Sequence, residues 1–488
     1  MTADCAYSFG AFRLDERTRR LVRAGETLRL TDRYLELLLA LVSRPGQIVS
    51  KDSLIEAAWK DVAVGDNSLE QAISAIRRTL GRGANGQAYI ETVARRGYRF
   101  VADVTRTTRE SDAALEEMLA PHRAFVEGRA ALETLELNAV NRARGVFEEV
   151  TVVAPEYAPA HIGLANALAL SFESSRTDQP RDLSALHATE VHAREACRLD
   201  AASGDAWATL GFVLSRSGMP GEAVAAARRA IALEPDNWRH HLRLAYVSWG
   251  EERLRAAQRT LKLLPGLALA HWLAATVHVA RQAFDEAERE LLLGTGAQDS
   301  QQEGARFAGV GLHFLLGLVR LARGDEAGSL AELGRELTFE DAAHVYSRET
   351  CANTWCAIGA IPVRRGDDHG ATTAFDRALE SIPGQPLALA ARSLTRDRTS
   401  TASDEQTLMQ RLGHLRERGG EIEAAIVEAA FHALKGDHSQ AAEVVYAALQ
   451  RAHTGSAGWM VPVEPLLNIS VHRDVWGPVT SLLRSRAA

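Results

Sequence analysis

The stretch "NSLEQAISAIRRTLG", residues 67–81, decides the fold of the first hundred residues. Its apolar residues follow an i, i+4, i+7, i+11 spacing, which places them on one stripe of an α-helix. They are Leu69, Ile73, Ile76 and Leu80. Asn67 and Glu70 predict a capping box at the start of this helix, and Gly81 occupies the position where glycine often ends one. The stretch alone predicts an amphipathic surface helix, so its neighbours decide whether the polar face binds a partner.

The composition divides the chain into a basic part and an acidic part. A length of 488 residues exceeds one domain of ordinary size. Residues 1–106 hold 17 Lys and Arg against 13 Asp and Glu, whereas the rest of the chain holds 39 against 50. A basic N-terminal part on an acidic body indicates that only the N-terminal part faces a polyanion.

Targeting and membrane signals are missing from the sequence pattern. The start, "MTADCAYSFG", lacks the basic and apolar regions of a signal peptide. The longest apolar runs, 267–280 and 310–322, are broken by His or Arg and are shorter than the roughly 20 residues that a bilayer span needs. Four cysteines in a chain of this length favour reduced thiols. We therefore expect a cytoplasmic protein that makes no membrane contact.

The residues around the opening stretch predict a sheet, three helices and a hairpin. Alternating segments at 9–14, 20–23 and 28–30, separated by turn residues, predict a small antiparallel sheet. "TDRYLELLLALVSRPG" predicts a helix capped by Thr31 or Asp32, and a second helix over 51–59 follows a serine cap. The apolar face expected for the first of these consists of Leu35, Leu38, Leu39 and Val42. "AYIETVARRGYRFVADV" then predicts two strands around a tip containing two arginines.

This order of elements is that of a winged helix, in which the third helix enters the major groove of DNA. The motifs "FGAFRLD", "RPGQIVSKDSLIEAAW", "NSLEQAISAIRRTLG" and "YIETVARRGYRF" resemble, in order, the OmpR/PhoB-type DNA-binding domain of bacterial transcription regulators. "VARRGYRF" and the helix face are similar to the CadC/ToxR branch, whose members keep this domain at the N-terminus and carry no receiver domain. The resemblance implies a sequence-specific, DNA-binding transcription regulator. It also implies that the protein activates transcription by contacting RNA polymerase, and that residues 60–66, the loop before the third helix, make this contact.

The resemblance turns the polar face of the third helix into a candidate reading surface. Gln71 and Arg78 lie opposite Leu69 at 100° per residue, flanked by Ser74 and Ala75, with Arg77 at the edge. An amide suits adenine, an arginine suits guanine or phosphate, and a small apolar side chain suits the thymine methyl group. The helix N-terminus is placed to hold a phosphate. The predicted DNA-binding residues of this helix are Asn67, Ser68, Gln71, Ser74, Ala75, Arg77 and Arg78.

The hairpin is the predicted wing, with backbone or minor-groove contacts from Thr92, Arg95, Arg96 and Tyr98. The alternative for Arg77 and Arg78 is a solvated last helical turn that favours the helix dipole. Trp59 is interpreted as a core residue and Lys51 as a solvated one. Response regulators often carry arginine at the positions of Ser74, Ala75 and Ala94, so their operator sequences do not transfer. We expect the wing arginines to carry more of the affinity and the helix more of the choice of sequence.

Beyond residue 112 the chain repeats a helical pattern of about 34 residues, the period of tetratricopeptide repeats. One clear copy, residues 204–237, contains Trp207, Leu210, Gly211, Ala223, Ala230 and Pro235. Another, residues 352–385, contains Trp355, Ile358, Gly359, Gly366, Ala371, Phe375, Ala378 and Pro383. Weaker copies keep Ala143, Phe147, Pro155, Ala257, Ala287 and Ala441 at packing positions. Stacked helix pairs of this kind form a solenoid with a concave surface for a partner.

The sequence therefore predicts a mainly α protein: an α+β winged helix-turn-helix domain over 1–106, a polar linker over 107–112, and an α-solenoid over 113–488 capped by 459–488. The pattern contains no phosphate-binding loop, nucleophile elbow or HExxH motif, which argues against an enzyme, and Cys351 and Cys356 favour buried thiols over a metal site. No cofactor, metal or catalytic residue is expected. The expected partners are double-stranded DNA, RNA polymerase, and a protein, peptide or small molecule on the solenoid, with a homodimer on paired half-sites. The main alternative is a protein-interaction scaffold or adaptor with vestigial DNA binding.

Overall fold

The computed structural model describes residues 5–59, 66–83, 86–176, 183–300, 309–395, 402–417, 420–453 and 455–488. The chain divides into two compact units, residues 1–120 and 121–488. The first is α+β and the second is helical, as the sequence predicts.

The N-terminal unit contains two antiparallel sheets and three helices. The five-stranded sheet has the order β4-β3-β2-β1-β8, and the three-stranded sheet has the order β5-β7-β6. The strands are β1 (Cys5–Phe9), β2 (Phe12–Asp15), β3 (Arg20–Arg23), β4 (Glu26–Leu28), β5 (Ile48–Val49), β6 (Ile90–Val93), β7 (Gly97–Phe100) and β8 (Thr105–Thr108). The helices are α1 (Asp32–Val42), α2 (Lys51–Ala58) and α3 (Asp66–Leu80).

Two strand predictions at the start of the chain need correction. The alternation over 9–14 is not one strand, because a turn at Gly10 separates β1 from β2, with Phe9 paired to Phe12. Gly10 has a φ of +55°, and a Cβ there would lie 2.4 Å from the Tyr89 hydroxyl oxygen. The expected third strand at 28–30 ends at Leu28.

The predicted linker at 107–112 is also wrong. β8 pairs along the whole of β1, with Cys5 opposite Thr108 and Ser8 opposite Thr105, and a helix begins at residue 109. Arg106 donates from Nη2 to the Cys5 sulfur at 3.0 Å, which adds a side-chain contact to the same pairing. Threonine is β-branched and favours an extended backbone, so the polar segment is a strand and not a loop.

The helices of this unit pack on one apolar core, as their periodicity predicts. Leu69, Ile73, Ile76 and Leu80 of α3 are all buried. In α1 the buried residues are Leu35, Leu37, Leu38, Leu41 and Val42, whereas the predicted Leu39 is half-buried. Ser50 caps α2 by accepting a hydrogen bond from the Ser53 amide at 3.2 Å. Trp59 lies in the core, in agreement with its interpretation.

The second unit is built from helices that pack mainly as successive antiparallel pairs. The helices are α4 (Arg109–Glu133, which begins in the first unit), α5 (Leu137–Val153), α6 (Ala158–Ser174), α7 (Leu183–Leu199), α8 (Gly204–Arg216), α9 (Pro220–Leu233), α10 (Trp238–Val247), α11 (Gly250–Leu263), α12 (Ala268–Ala280), α13 (Phe284–Asp299), α14 (Leu312–Ala322), α15 (Glu326–Glu336), α16 (Ser347–Arg365), α17 (Asp368–Ser381), α18 (Pro386–Thr395), α19 (Ala402–Glu417), α20 (Glu421–Leu434), α21 (His438–Arg451) and α22 (Arg473–Arg486). Short 3₁₀ turns lie at Leu337–Phe339, Val461–Val463 and Pro465–Leu467.

Small residues hold the paired helices close together at the predicted positions. Gly211 of α8 faces the Ala223 carbonyl of α9, where a Cβ would come within 2.8 Å of the oxygen. Gly359 of α16 faces the ring of Phe375 in α17 in the same way. Ala257, Ala287 and Ala441 are fully buried. The repeat pattern is therefore a packing pattern.

The C-terminal strap, residues 461–488, does more than cap the last repeat. Trp476 and Leu483 pack against α20 and α21, whereas Ala487 is buried in the core that α10, α11 and α12 form. Arg281 Nε, just after α12, donates to the Ala487 carbonyl at 2.8 Å. The strap therefore joins the last repeat to the middle of the solenoid, which corrects the prediction of a simple cap.

An inner loop, residues 340–346, crosses from α15 to the start of the solenoid. The Leu137 amide donates to the Ala343 carbonyl at 2.7 Å, and the Val345 amide donates to the Leu135 carbonyl at 2.9 Å. Val345 is buried between α4 and α5. His344 and Tyr346 of the loop line the same cavity as α6, α8 and α10, so the loop covers part of the surface that the repeat pattern predicts as open.

The two cysteines of α16 are buried, as the sequence predicts. They are Cys351 and Cys356, and burial raises the pKa of the Cys351 thiol to about 12. Among the helices of the described ranges, none combines the length and apolarity that crossing a membrane requires.

Candidate nucleic-acid interface

The outward stripe of α3 is the surface that the sequence predicts. Gln71, Ser74 and Arg78 are exposed, and Ala75 is half-buried. They follow an i, i+3, i+4, i+7 spacing, opposite the buried leucines and isoleucines. The spacing places these four side chains on one face of α3. Because the apolar stripe packs against the core, this face points away from the core.

The N-terminal end of α3 differs from the expected capping box. The helix begins at Asp66, one residue before Asn67, and the side chain of Asn67 lies outside the described residues, as does the loop 60–65. Ser68 is half-buried in the first turn. Glu70 forms an ion pair with Lys51, with 3.2 Å between Oε1 and Nζ, and this pair joins α3 to α2. Lys51 is therefore not simply solvated, which corrects its interpretation from the sequence.

Arg77 connects the helix to the wing. Its Nε donates to the Ile90 carbonyl at 3.0 Å, and its Nη2 donates to the Thr92 hydroxyl at 2.8 Å. The guanidinium also lies 5.9 Å from the centre of the Tyr98 ring. Arg77 therefore fixes the distance between α3 and β6, and two of its five N–H donors are used inside the domain.

The wing is the β6–β7 hairpin, with residues 94–96 at its tip. Arg95 and Arg96 are exposed there, and Arg95 adopts the left-handed backbone region with a φ of +63°. Gly97 has a φ of +136°, and a Cβ on it would come within 2.0 Å of the Val49 carbonyl oxygen. Only glycine allows β7 to pair so closely with β5, and this pairing aims the tip.

Two predicted wing residues make contacts inside the domain that oppose their predicted role in binding DNA. Tyr98 is 3% exposed and belongs to the core, which corrects the expected contact by its hydroxyl group. Thr92 is exposed, but its hydroxyl group accepts from Arg77. Both residues therefore position the wing.

The free positive charges of this surface lie on α3 and at the wing tip. Arg78, Arg95 and Arg96 form no ion pair with a carboxylate in the described part of the chain. Arg99 on β7, which sequence reasoning did not consider, donates from Nε to Glu91 at 3.0 Å across the hairpin. The register places Arg99 opposite Glu91, and this cross-strand pair of opposite charges is the signal by which the sequence could have identified Arg99.

This arrangement has the chemistry of a DNA reader. An amide, a hydroxyl group, a small apolar group and an arginine on one helix face match the groups that base edges present in the major groove. Two unpaired arginines on an adjacent hairpin match phosphates, which attract cations regardless of sequence.

Comparison with known proteins agrees with this geometry. The family model described as "Transcriptional regulatory protein, C terminal" matches residues 25–100, and a tetratricopeptide repeat model matches residues 204–247. A cholera toxin homolog transcriptional activator of Vibrio parahaemolyticus is 30% identical over 140 residues, which cover 28% of this chain and 48% of that protein. The transcriptional regulator HilA of Salmonella typhimurium is 35% identical over 80 residues, which cover 16% of this chain and 14% of that protein.

Among solved structures, the DNA-binding domain of Escherichia coli CadC is 28% identical and covers 21% of this chain and 98% of that chain, with a TM-score of 0.20. The chain spans about half or less of the length of the curated relatives described above. The matched family is one of transcriptional regulators and not of enzymes. The N-terminal unit thus contains an OmpR/PhoB-type winged-helix DNA-binding domain similar to that of CadC/ToxR/HilA-like regulators, and tetratricopeptide repeats follow it.

Proposed function

We propose that the chain is a sequence-specific transcriptional regulator in which α3 reads bases in the major groove and the wing contacts the adjoining backbone or minor groove. The observation that carries this proposal is the outward stripe Gln71, Ser74, Ala75 and Arg78, on a helix held by the core on one side and by Arg77 on another. A reading helix needs such fixation, because base contacts discriminate only when the side chains are held in register.

In this proposal the α3 face and the wing contribute to DNA binding in different ways. Gln71 and Arg78 choose the sequence, since an amide and a guanidinium make bidentate pairs with adenine and guanine. Arg95 and Arg96 supply sequence-independent affinity, since their charges are exposed and unpaired within the described chain. Arg77, which the sequence reading placed among the DNA contacts, is here a positioning residue.

The test is selection of bound sequences from a random DNA library by the full chain, followed by salt titration on the best sequence. Gln71→Ala should broaden the selected sequences. Arg96→Gln should weaken binding to all sequences alike and reduce the salt slope by about 0.9, the value of one phosphate contact. Arg20→Gln is the matched control, since Arg20 is exposed on β3 of the other sheet.

Enrichment of no sequence, together with a salt slope too small for several phosphate contacts, would remove the regulator proposal and leave the scaffold or adaptor alternative. Activation through RNA polymerase, with contact at loop 60–66, belongs to the same proposal, as do a cytoplasmic location and a dimer on direct or inverted half-sites. A footprint of one half-site only would refute the dimer.

We further propose that the helical unit receives a signal and that the signal is a small molecule. The inner loop supports this choice, because its His344 and Tyr346, with Trp459 and Met460 just before the strap, cover surface on which a protein or peptide would lie. Their packing leaves a cavity of about 800 Å³ inside the unit. A cavity of that size falls in the range of small-molecule sites, about 300–1,000 Å³. A screen for compounds that raise the melting temperature of the full chain tests it.

A further inference from the structure

The cavity inside the helical unit carries a more specific inference. Its lining comes from α4, α6, α8 and α10 on one part, and from α12, α14, α16, the inner loop and residues 459–460 just before the strap on another. Much of the lining is apolar or aromatic, including Phe212, Trp272, Phe314 and Trp459. Apolar walls with a small number of polar groups are the usual composition of a site for an organic molecule.

Most charged side chains in this lining are already paired. The pairs are Arg129 with Asp205 (Nη1 to Oδ2, 3.5 Å), Arg239 with Glu133 (Nε to Oε1, 2.9 Å) and Arg176 with Glu349 (Nε to Oε2, 3.0 Å). A further carboxylate of the lining, Glu423, is exposed. These groups therefore balance one another without a ligand.

Arg243 of α10 is the exception. Its Nη2 donates to Asn166 Oδ1 at 2.7 Å, and its guanidinium lies 4.2 Å from the centre of the Phe212 ring. No carboxylate of the described ranges comes within ion-pair distance of it. An arginine has five N–H donors, so four remain without a partner in this part of the chain. Burial also lowers the pKa of Arg243, because desolvation disfavours the charged form.

The surroundings hold Arg243 in place instead of neutralising it. Asn166 Nδ2 donates to the Ile162 carbonyl and to the Thr209 hydroxyl, both at 2.9 Å, which turns its carbonyl oxygen toward Arg243. Phe212 supports the guanidinium from one face. None of the unused N–H groups is among the fully buried polar atoms that lack a partner in the described ranges, and Arg243 itself lines the cavity.

A half-buried charge without a counter-ion favours a ligand that supplies the opposite charge. We propose that the cavity binds a small organic acid with one carboxylate, which pairs with Arg243, and an apolar or aromatic body, which fills the space along the aromatic lining. One unpaired cation calls for a monoanion, and the planar fork of arginine fits a carboxylate through two hydrogen bonds. This inference rests on the proposed small-molecule signal and names its chemical class.

The experiment compares acids with their uncharged amides on the full chain. The probes are 3-phenylpropionate, indole-3-acetate and octanoate, each against its primary amide. Binding is followed by melting temperature and by fluorescence of the tryptophans in the lining. At least one acid should bind at least tenfold more tightly than its amide, and Arg243→Met should abolish this difference. Arg255→Met is the matched control, because Arg255 is exposed on α11.

Arg243→Met should also melt at a higher temperature than the wild type without ligand, since it removes an uncompensated charge. If Arg243→Met does not fold, Arg243→Lys is tested with the same acids and amides. This variant keeps the charge but loses the planar fork, so it should retain a reduced preference for acids. Acids that bind no better than amides, a panel in which no acid binds, or an acid preference that survives in Arg243→Met would overturn the inference. DNA selection runs in parallel without ligand, where wild type and Arg243→Met should choose the same sequences. Loss of sequence preference in both would refute the regulator proposal, whereas the assignment of Arg243 as the acid site stands or falls with the comparison of acids and amides alone.

Discussion

The neighbouring arginines of α3 should respond to substitution in opposite ways. Arg77→Met removes two hydrogen bonds from a charged donor, to the Ile90 carbonyl and the Thr92 hydroxyl, while the methionine stem still packs near Tyr98. A hydrogen bond from a charged group contributes about 1.5–3 kcal/mol to the free energy of unfolding. Because Arg77 is half-buried, we expect each of its two hydrogen bonds to contribute near or below the lower limit of this range. We expect a loss of about 2 kcal/mol in the free energy of unfolding of the N-terminal unit. Arg78→Met, on an exposed side chain without such contacts, should change it by less than about 0.5 kcal/mol.

Urea unfolding of a fragment ending at residue 120 measures this difference. Trp59 is the single tryptophan of residues 1–120 and is buried, so its fluorescence reports on the core of this unit. With a slope of about 1.5 kcal/mol per M, the Arg77→Met midpoint should fall by about 1.3 M. DNA binding should show the reverse order, since Arg78→Met should lose about 1–3 kcal/mol on the preferred sequence. Equal destabilisation by the two variants, or a larger loss of base preference in Arg77→Met, would refute the role given to Arg77.

Gly97→Ala should destabilise the N-terminal unit by about 3 kcal/mol or more, whereas Gly25→Ala, also at positive φ but in open space, should cost about 1–2 kcal/mol in the same urea assay. A fragment ending at residue 106 loses the part of β8 that pairs with Cys5 and Ala6, and should unfold about 1–2 kcal/mol more easily than one ending at residue 120. Burial raises the pKa of the Glu464 carboxyl to about 7 from its ordinary value of 4.5, so its contribution to stability is full below pH 4.5 and is lost as the pH rises through 7. Glu464→Gln should therefore gain up to about 3 kcal/mol over wild type at pH 8 and little at pH 4, seen as a melting temperature of the full chain that falls less with rising pH.

Each of these has a clear contrary result. Equal losses for the two glycine variants would mean that backbone strain, and not the approach to Val49, governs Gly97. Identical stability of the two fragments would mean that β8 contributes nothing to the N-terminal sheet. A parallel pH dependence in wild type and Glu464→Gln would mean that the Glu464 carboxyl does not titrate between these limits.

The features that sequence predicts well here are those set by local periodicity. The buried stripe of α3 and the exposed Gln71 and Arg78 follow from a 100° rotation per residue, which neighbouring packing does not change. The paired helices around Gly211 and Gly359 follow from the spacing of small residues within one repeat. In both cases the residues that decide the structure lie within about 30 positions of each other.

The features that sequence misses depend on partners distant in the chain. Thr105–Thr108 becomes a strand because Cys5–Ser8 lies beside it, about a hundred residues away. Arg77 looks like a DNA contact until β6 is placed next to α3. Arg243 had no distinguishing pattern at all, because its isolation from carboxylates is visible only when four helices are brought around it.

The strap also has a consequence for biosynthesis. In an open solenoid each helix pair can fold against its predecessor as it leaves the ribosome, since it contacts only its neighbours. Here the segment that buries Ala487 against α10–α12 and Trp476 against α20–α21 is made after every repeat that it joins. The middle of the helical unit must therefore wait, with part of its apolar surface uncovered, until more than 180 further residues have been translated. Translation pauses or chaperones that act on nascent chains should affect the yield of this unit more than that of the winged-helix domain, which is complete once β8 has emerged.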